Sequence, residues 1–490
     1  MTENPQAELL GRSHRYGEDR AVTNYGGGNT SAKGTAIDPA TGHAVDLLWV
    51  KGSGGDLATL TEDGLAVLRL DRFRELVSVF RGPDHDDEMV DAFDYVQHGR
   101  GGAAPSIDTS MHALVDAAHV DHLHPDAGIA IATSADGAEL TKKIFGGKVA
   151  WIDWRRPGFQ LGMDVAQLKS SNTDYIGAIL GGHGITAWGD TSEESESNSL
   201  WIIRTAQKYI DHNGKSLPFG PKLEDRQPLP ADERRAKAFA LAPHIRALVS
   251  SEKAQVGHFY DGPEVLEFLS SAEHPRLAAL GTSCPDHFLR TKVRPLVLDL
   301  PSSASVEDSI TRLTELVEAY RAEYAAYYDA YATPTSPPMR GTDPAIVLIP
   351  GVGQFSWGAD KKTARVAGEY FVNAINAMRG AEALSTYQPI PDSEKFRVEY
   401  WSLEEAKLRR QPAPKPLATR IALVTGAAGG IGKAIAHRLA AEGACVVIAD
   451  LNLEAAQAAA AEVGNTDVAI GVKADVTSES EVADAVRSAV

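Results

Sequence analysis

His122 and His124, in the stretch VDHLHPDA, stand two residues apart. On a strand, positions i and i+2 share a face, so two imidazoles there can hold one cation together. Taken alone the pair favours a structural reading, because such spacing often arises by chance. A third histidine, His183, lies in ILGGHGITAWG. Its flanking glycines let the backbone approach closely and leave the ring accessible; its plain reading is a turn histidine. Three neutral imidazoles with an open fourth position form a known catalytic zinc arrangement. Asp108, in APSIDTSMHALV, precedes an expected helix. Considered by itself it reads as a helix N-cap, and beside a cation it reads as a carboxylate that moves a proton. His112, one turn further on, reads as a helix-packing residue.

Two glycine-rich turns accompany these residues: GGGNTS (26–31), which contains Asn29, and WVKGSGGDL (49–57), which contains Lys51, Ser53 and Gly54. Such turns can offer a nest of backbone N–H groups to an anion. Either could be a plain strand-end turn; two of them, together with Ser106 in PSID, point to a phosphate pocket. Near the other end, VTGAAGGIGKAIAHRLAAEGACVVIAD carries a TGxxxGxG pattern. Gly426 makes the turn, and Gly430 and Gly432, on either side of Ile431, allow close approach of a pyrophosphate and of the helix. The pattern follows a strand, opens a helix, and is followed by Asp450 at the end of the next strand, a context that makes it specific. Asp450 is expected to bond ribose hydroxyls and to repel a 2′-phosphate, favouring NAD over NADP. Asp475 and Val476, in ADV, resemble the loop near an adenine.

The elements that must position these groups fall into three regions with a linker. In residues 1–212, the apolar runs LLWV (47–50) and AGIAIAT (127–133) read as strands, and 190–210 as a helix with capping oxygens at Asp190 to Ser192. Residues 213–410 begin with a helix-rich part (ADERRAKAFALAPHIRALVSSEKA). An alternation follows: RPLVLDL (294–300) as strand, a tyrosine-rich helix near 306–331, AIVLIPG (345–351) as strand, and a helix near 360–379. That order suggests an α/β lobe with a parallel sheet. LEEAKLRR ends a helix, and residues 411–418 are a stiff proline-rich linker. Residues 419–490 read as half of a doubly wound fold, with strands in IALVT, ACVVIAD and VAIGVKADV. No internal repeat is evident.

A chain of 490 residues, 43% hydrophobic and 23% charged, reads as globular and soluble. No apolar run reaches the roughly 18 residues needed to cross a bilayer, and the polar N-terminus lacks the apolar stretch of a secretory signal. A formal charge of −18 argues against nucleic-acid and anionic-membrane partners. Two cysteines, Cys284 and Cys445, supply neither a disulfide framework nor a thiolate metal site, so a cytoplasmic setting is expected.

Residues 20–212 resemble the class II aldolase/adducin family through GGGNTS, KGSGG, PSID, the HLH pair and GGHG, in the family's order. The resemblance implies an αβα domain in which His122, His124 and His183 bind zinc or another divalent metal. Asp108 is then the acid/base, and Asn29, Ser53, Gly54 and Ser106 hold a substrate phosphate. The aldolases usually carry glutamate at the position of Asp108, so a sugar-phosphate epimerase is a second reading. The whole chain is similar to the bifunctional rhamnulose-1-phosphate aldolase/short-chain dehydrogenase proteins, through GTSCPDHFLRTKVRPLV, the stretch 349–388 and EYWSLEEAKL. That similarity implies a homo-oligomer that cleaves a ketose 1-phosphate such as L-rhamnulose 1-phosphate to dihydroxyacetone phosphate and L-lactaldehyde. Short-chain dehydrogenases place their serine and Tyr-x-x-x-Lys set further along than Val490. The last region is therefore expected to be truncated, to bind NAD weakly at most, and to act as an NAD-dependent dehydrogenase only in a longer native chain.

Overall fold

The computed structural model describes residues 5–99, 102–282, 284–402, 404–405 and 413–490. The chain forms two compact units. The first consists of Met1–Phe219, Thr282–Phe288 and Asn373–Val398; the second holds Gly220–Gly281, Leu289–Val372 and Glu399–Val490. The expected span 1–212 thus lies inside a unit that two later stretches of chain join. Residues 403 and 406–412, which carry most of LEEAKLRR and the start of the expected linker, lie outside the described residues.

The first unit is built on one seven-stranded sheet, ordered β3-β2-β1-β4-β7-β6-β5. Its strands are β1 (Asn29–Ile37), β2 (Ala44–Lys51), β3 (Leu65–Arg69), β4 (His119–Leu123), β5 (Val149–Ile152), β6 (Gly177–Leu180) and β7 (Gly184–Gly189). All neighbours are antiparallel except β5 and β6. Alternation along the strands feeds two apolar layers. Leu123, Ile179, Ile185 and Ala187 pack with Leu9, Ile131 and Ile202. Val120, Ala178, Leu180 and Trp188 pack with Met111, Leu161 and Val165. Helices on both faces make this the expected αβα arrangement.

The same alternation separates chemistry from scaffolding on β4. Asp121 belongs to the first face, where its carboxylate accepts from Arg12 Nε at 3.0 Å, Tyr16 Oη at 2.9 Å and Ser195 Oγ at 2.8 Å. Arg12 also donates to Ser192 Oγ and to the Ser31 carbonyl, and neither side chain of the ion pair is exposed. This network ties the first helix, Pro5–Glu18, and the helix Ser192–Asn213 to the strand that carries His122. Removing one partner strands a buried charge, so Arg12→Ala should lower stability by about 3–5 kcal/mol. Chemical denaturation measures this, and a loss under about 1 kcal/mol would mean that the pair is solvated.

The helix Ser192–Asn213 starts where its capping chemistry dictates. Thr191 Oγ1 accepts from Glu194 N, and Glu194 returns a carboxylate to Asp190 N. The run 127–133 departs from its expected strand: Asp126–Ala132 is a helix. Every residue from Ala127 to Ala132 is buried, so the run is apolar on all sides and its period carries no signal.

In the second unit a four-stranded sheet runs β8-β11-β10-β9, with β8 (Val256–Tyr260), β9 (Leu296–Val297), β10 (Ile346–Ile349) and β11 (Gly353–Gly358). Only β9 and β10 are parallel, which corrects the expected parallel sheet. The chain reverses after Ile349 through Pro350, Gly351 and Val352, and returns as β11, a strand whose sequence GQFSWG lacks β-branched residues. Only Leu296–Val297 of the expected strand 294–300 pairs. The helices Val306–Tyr331 and Lys361–Leu384 cover the expected helical stretches. A separate parallel sheet, β12 (Ile421–Thr425), β13 (Cys445–Asp450) and β14 (Ala469–Lys473), forms the doubly wound half.

The fold does contain a repeat. β5-β6-β7-β4 and β9-β10-β11-β8 have the same neighbours with the same senses, and both β6–β7 and β10–β11 are hairpins followed by a long helix. In register, His122 opposes Thr186 and Phe259 opposes Phe355. The positions of His122, His124 and His183 are thereby taken by Phe259, Asp261 and Val352 in the second copy, so the sequence signature of the repeat is gone.

Candidate metal centre

His122 lies on β4, opposite Asn29 of β1 and Thr186 of β7, so it sits in the middle of the sheet. His124 follows the end of β4, and His183 occupies the β6–β7 hairpin, where Gly182 takes φ 65° to turn the chain. All three rings are buried. His122 Nε2 is 2.9 Å from His124 Nε2 and 3.2 Å from His183 Nε2. Ring centroids are 4.6 to 5.0 Å apart.

Tautomers decide what these short distances mean. His122 Nδ1 donates to the Ile185 carbonyl at 2.9 Å, so its Nε2 carries a lone pair. His124 Nδ1 meets the Asp286 carboxylate, with Cys284 Sγ at 3.5 Å. Where His124 and His183 also present lone pairs at Nε2, the three repel unless a cation lies among them. Nitrogens bound at about 2.0–2.1 Å around a tetrahedral zinc stand roughly 3.3 Å apart, close to the spacing seen here. The donor set fits a divalent metal.

Burial holds His122 well below the ordinary imidazole range, aided by His183 and His124, and pushes His183 down to about 3. Both are neutral, as metal ligands must be. Burial would lower His124 too, but Cys284 and Asp286 outweigh it and hold it above that range. Asp286 keeps 30% of its side chain accessible, and His124 holds its carboxyl below the usual carboxylate range against the effect of burial.

Asp108 precedes the helix Thr109–Leu114 without capping it. Its Oδ2 instead accepts from Asn29 Nδ2 at 3.3 Å and lies 3.4 Å from Ser106 Oγ. Asn29 Nδ2 also donates to Ser106 Oγ at 2.8 Å, and Lys51 Nζ donates to Asn29 Oδ1 at 3.3 Å. Asp108, Asn29, Ser106 and buried Lys51 therefore form one polar cluster, joined to the imidazoles through the pairing of Asn29 with His122. Among the described residues, Asp108 is not in the close ligand group of the three histidines. Ser53 Oγ is buried without a hydrogen-bond partner among the described residues, and Gly54, at φ 83°, is open to solvent. His112 bonds Ser31 Oγ at 2.8 Å, in keeping with a packing role.

The glycines at 26–28 have a further task. A Cβ on Gly27 would lie 2.4 Å from Asp286 Oδ2 and 2.8 Å from His124 Nδ1. Cys284, expected to be no metal ligand, stands in a group with His124 and Asp286 that could hold an ion; the stretch CPDHFLRT holds a His and an Asp, but nothing in its spacing ties it to residue 124.

In the last sheet, Gly426 and Gly430 take φ 62° and 54°, and a Cβ on Gly432 would lie 2.4 Å from the Gly426 carbonyl. Asp450 ends β13 and accepts from Ala428 N at 3.1 Å. Ile431 and Val476 are exposed, and Asp475 caps Thr477. The open glycine turn, the helix Gly430–Ala441 and the carboxylate beyond it fit a dinucleotide.

Fold and sequence together define a class II aldolase domain joined to a short-chain dehydrogenase segment. Residues 8–210 match the Class II Aldolase and Adducin N-terminal domain, 236–408 the Aldolase class II, second domain, and 420–490 the short chain dehydrogenase family. The chain belongs to the family of the uncharacterized oxidoreductase YuxG of Bacillus subtilis, with 38% identity over 98% of this chain and 69% of that protein. Its last region is 51% identical to a sorbitol dehydrogenase of Cereibacter sphaeroides, over 13% of this chain and 24% of that one. The solved N-terminal class II aldolase domain of a Thermoplasma acidophilum protein is 28% identical, covering 43% of this chain and 95% of that one, with a TM-score of 0.40.

Proposed function

We propose that the chain cleaves a ketose 1-phosphate, L-rhamnulose 1-phosphate being the first candidate, to dihydroxyacetone phosphate and L-lactaldehyde. The observation that carries this reading is the meeting of three imidazole Nε2 atoms beside a polar cluster holding one carboxylate. A divalent cation, zinc in the first instance, would be held by His122, His124 and His183 and would supply Lewis acidity at the ketose carbonyl.

The protein's own groups do the rest. In retro-aldol cleavage the hydroxyl on the departing carbon gives its proton to a base and becomes the aldehyde carbonyl; the electrons of the broken carbon–carbon bond move onto the carbon beside the ketose carbonyl, giving an enediolate, and that carbon then takes a proton. Asp108 delivers this second proton. Asn29 and Ser106 hold the Asp108 carboxylate in place, and with Ser53 and the open turn at Gly54 they offer donors to the substrate phosphate. Lys51 adds positive charge, which a chain of net charge −18 must concentrate locally. The C-terminal segment would hold NAD, with Asp450 toward the ribose; oxidation of the aldehyde would follow only where a serine and Tyr-x-x-x-Lys set joins it.

The test is product analysis on purified, zinc-loaded protein with a panel of ketose 1-phosphates. Release of dihydroxyacetone phosphate is expected. Recovery of an epimeric sugar phosphate with none released would replace the lyase by an epimerase using the same residues.

A further inference from the structure

The metal centre of the first class II domain is completed by residues from the region that matches the second one. Thr282–Phe288 and Asn373–Val398 fall within 236–408, yet both belong to the first compact unit. We propose that Asp286 is a positioning residue for the metal site: it accepts the Nδ1 proton of His124 and so fixes which nitrogen that ring presents to the cation. The inference rests on reading the three histidines as a metal site.

Three observations carry it. Asp286 Oδ2 is in contact with His124 Nδ1, on the side of the ring opposite the nitrogen that faces His122. His122 shows the same arrangement with a main-chain acceptor, its Nδ1 bonded to Ile185 O. A ligating histidine whose other nitrogen donates to a carboxylate or a carbonyl is oriented and made more basic by it. Finally, the chain keeps the approach clear: residue 27 is glycine, and any larger side chain there would strike both partners.

The next residue locks the segment in place. His287 Nε2 is 2.8 Å from Asn373 Oδ1, and Asn373 Nδ2 donates to Asp126, two residues beyond His124. Asn376 donates to the other oxygen of Asp126 at 2.8 Å. Both inserted stretches are thus anchored at the chain that leaves His124. Cys284, with Asp286 and His124, also forms a group that could bind a second ion across a bridging imidazole. The contact between Asp286 and His124 is too close to hold an ion between them.

The experiment uses the full chain and zinc itself. Zinc affinity is measured by competition with a chromogenic chelator for wild type, Asp286→Ala and Asp286→Asn, alongside the visible spectrum of the cobalt-substituted proteins. Asp286→Ala should bind zinc about 10–100-fold more weakly, with Asp286→Asn between it and wild type because its carbonyl oxygen still accepts from Nδ1–H. The cobalt bands should shift in the alanine variant. If Asp286→Ala fails to fold, the comparison of Asp286→Asn with wild type decides. A folded variant with unchanged affinity and spectrum overturns the proposal. So does a stoichiometry of two zinc ions per chain, the second lost in Cys284→Ala. Wild type that binds no zinc overturns this proposal and the proposed reaction together. Wild type that binds zinc, loses affinity in Asp286→Ala and releases no dihydroxyacetone phosphate overturns the reaction alone.

Discussion

The His122→Ala variant is expected to emerge from gel filtration without bound zinc and without lyase activity. His122 is the ring from which both short nitrogen–nitrogen distances are measured, and it is fully buried in the sheet. Its loss leaves His124 and His183 as a two-ligand site with a void between them. The fall in zinc affinity should exceed the about 10–100-fold that loss of an outer partner costs. Metal analysis by mass spectrometry reads the effect directly, and melting of the metal-free proteins side by side separates it from unfolding. Stoichiometric zinc in a folded His122→Ala protein would end the metal reading.

Asp108→Asn tests the chemistry with the metal left in place. The amide has the size of the carboxylate and its oxygen can still accept from Asn29 Nδ2, so the polar cluster persists. What disappears is a group able to give and take a proton. Positioned acid–base groups contribute about 10²–10⁴-fold, so kcat should fall within that range while zinc content stays at the wild-type level. Full activity in this variant would remove Asp108 from the mechanism. Reduced zinc content would make Asp108 a structural neighbour of the site instead.

Much of this arrangement is legible in the residues. His122, His124, His183, Asn29 and Asp108 occur in short motifs, glycine-marked at Asn29 and His183, and the strands and turns that bear them bring them together. The helix Val306–Tyr331 is legible too, because one side of it meets the core and its period shows. Other features leave no mark. Asp286 reaches His124 from 162 positions along the chain, and such a contact depends on tertiary packing alone. Residues 127–132 are enclosed on every side, so helix and strand spell the same apolar run. The repeat escapes notice because Phe259, Asp261 and Val352 stand where the first copy has its histidines, while the backbone pairing is the same.

The interleaving of the chain bears on how the protein is made. When a ribosome has released residue 219, the first compact unit still lacks Thr282–Phe288 and Asn373–Val398. At about 5–20 residues per second, translation needs roughly ten to forty seconds more to supply the last of them. At the start of that interval His124 lacks Asp286, and Asp126 lacks Asn373 and Asn376. The first unit can therefore close around His124 only after these later stretches have left the ribosome.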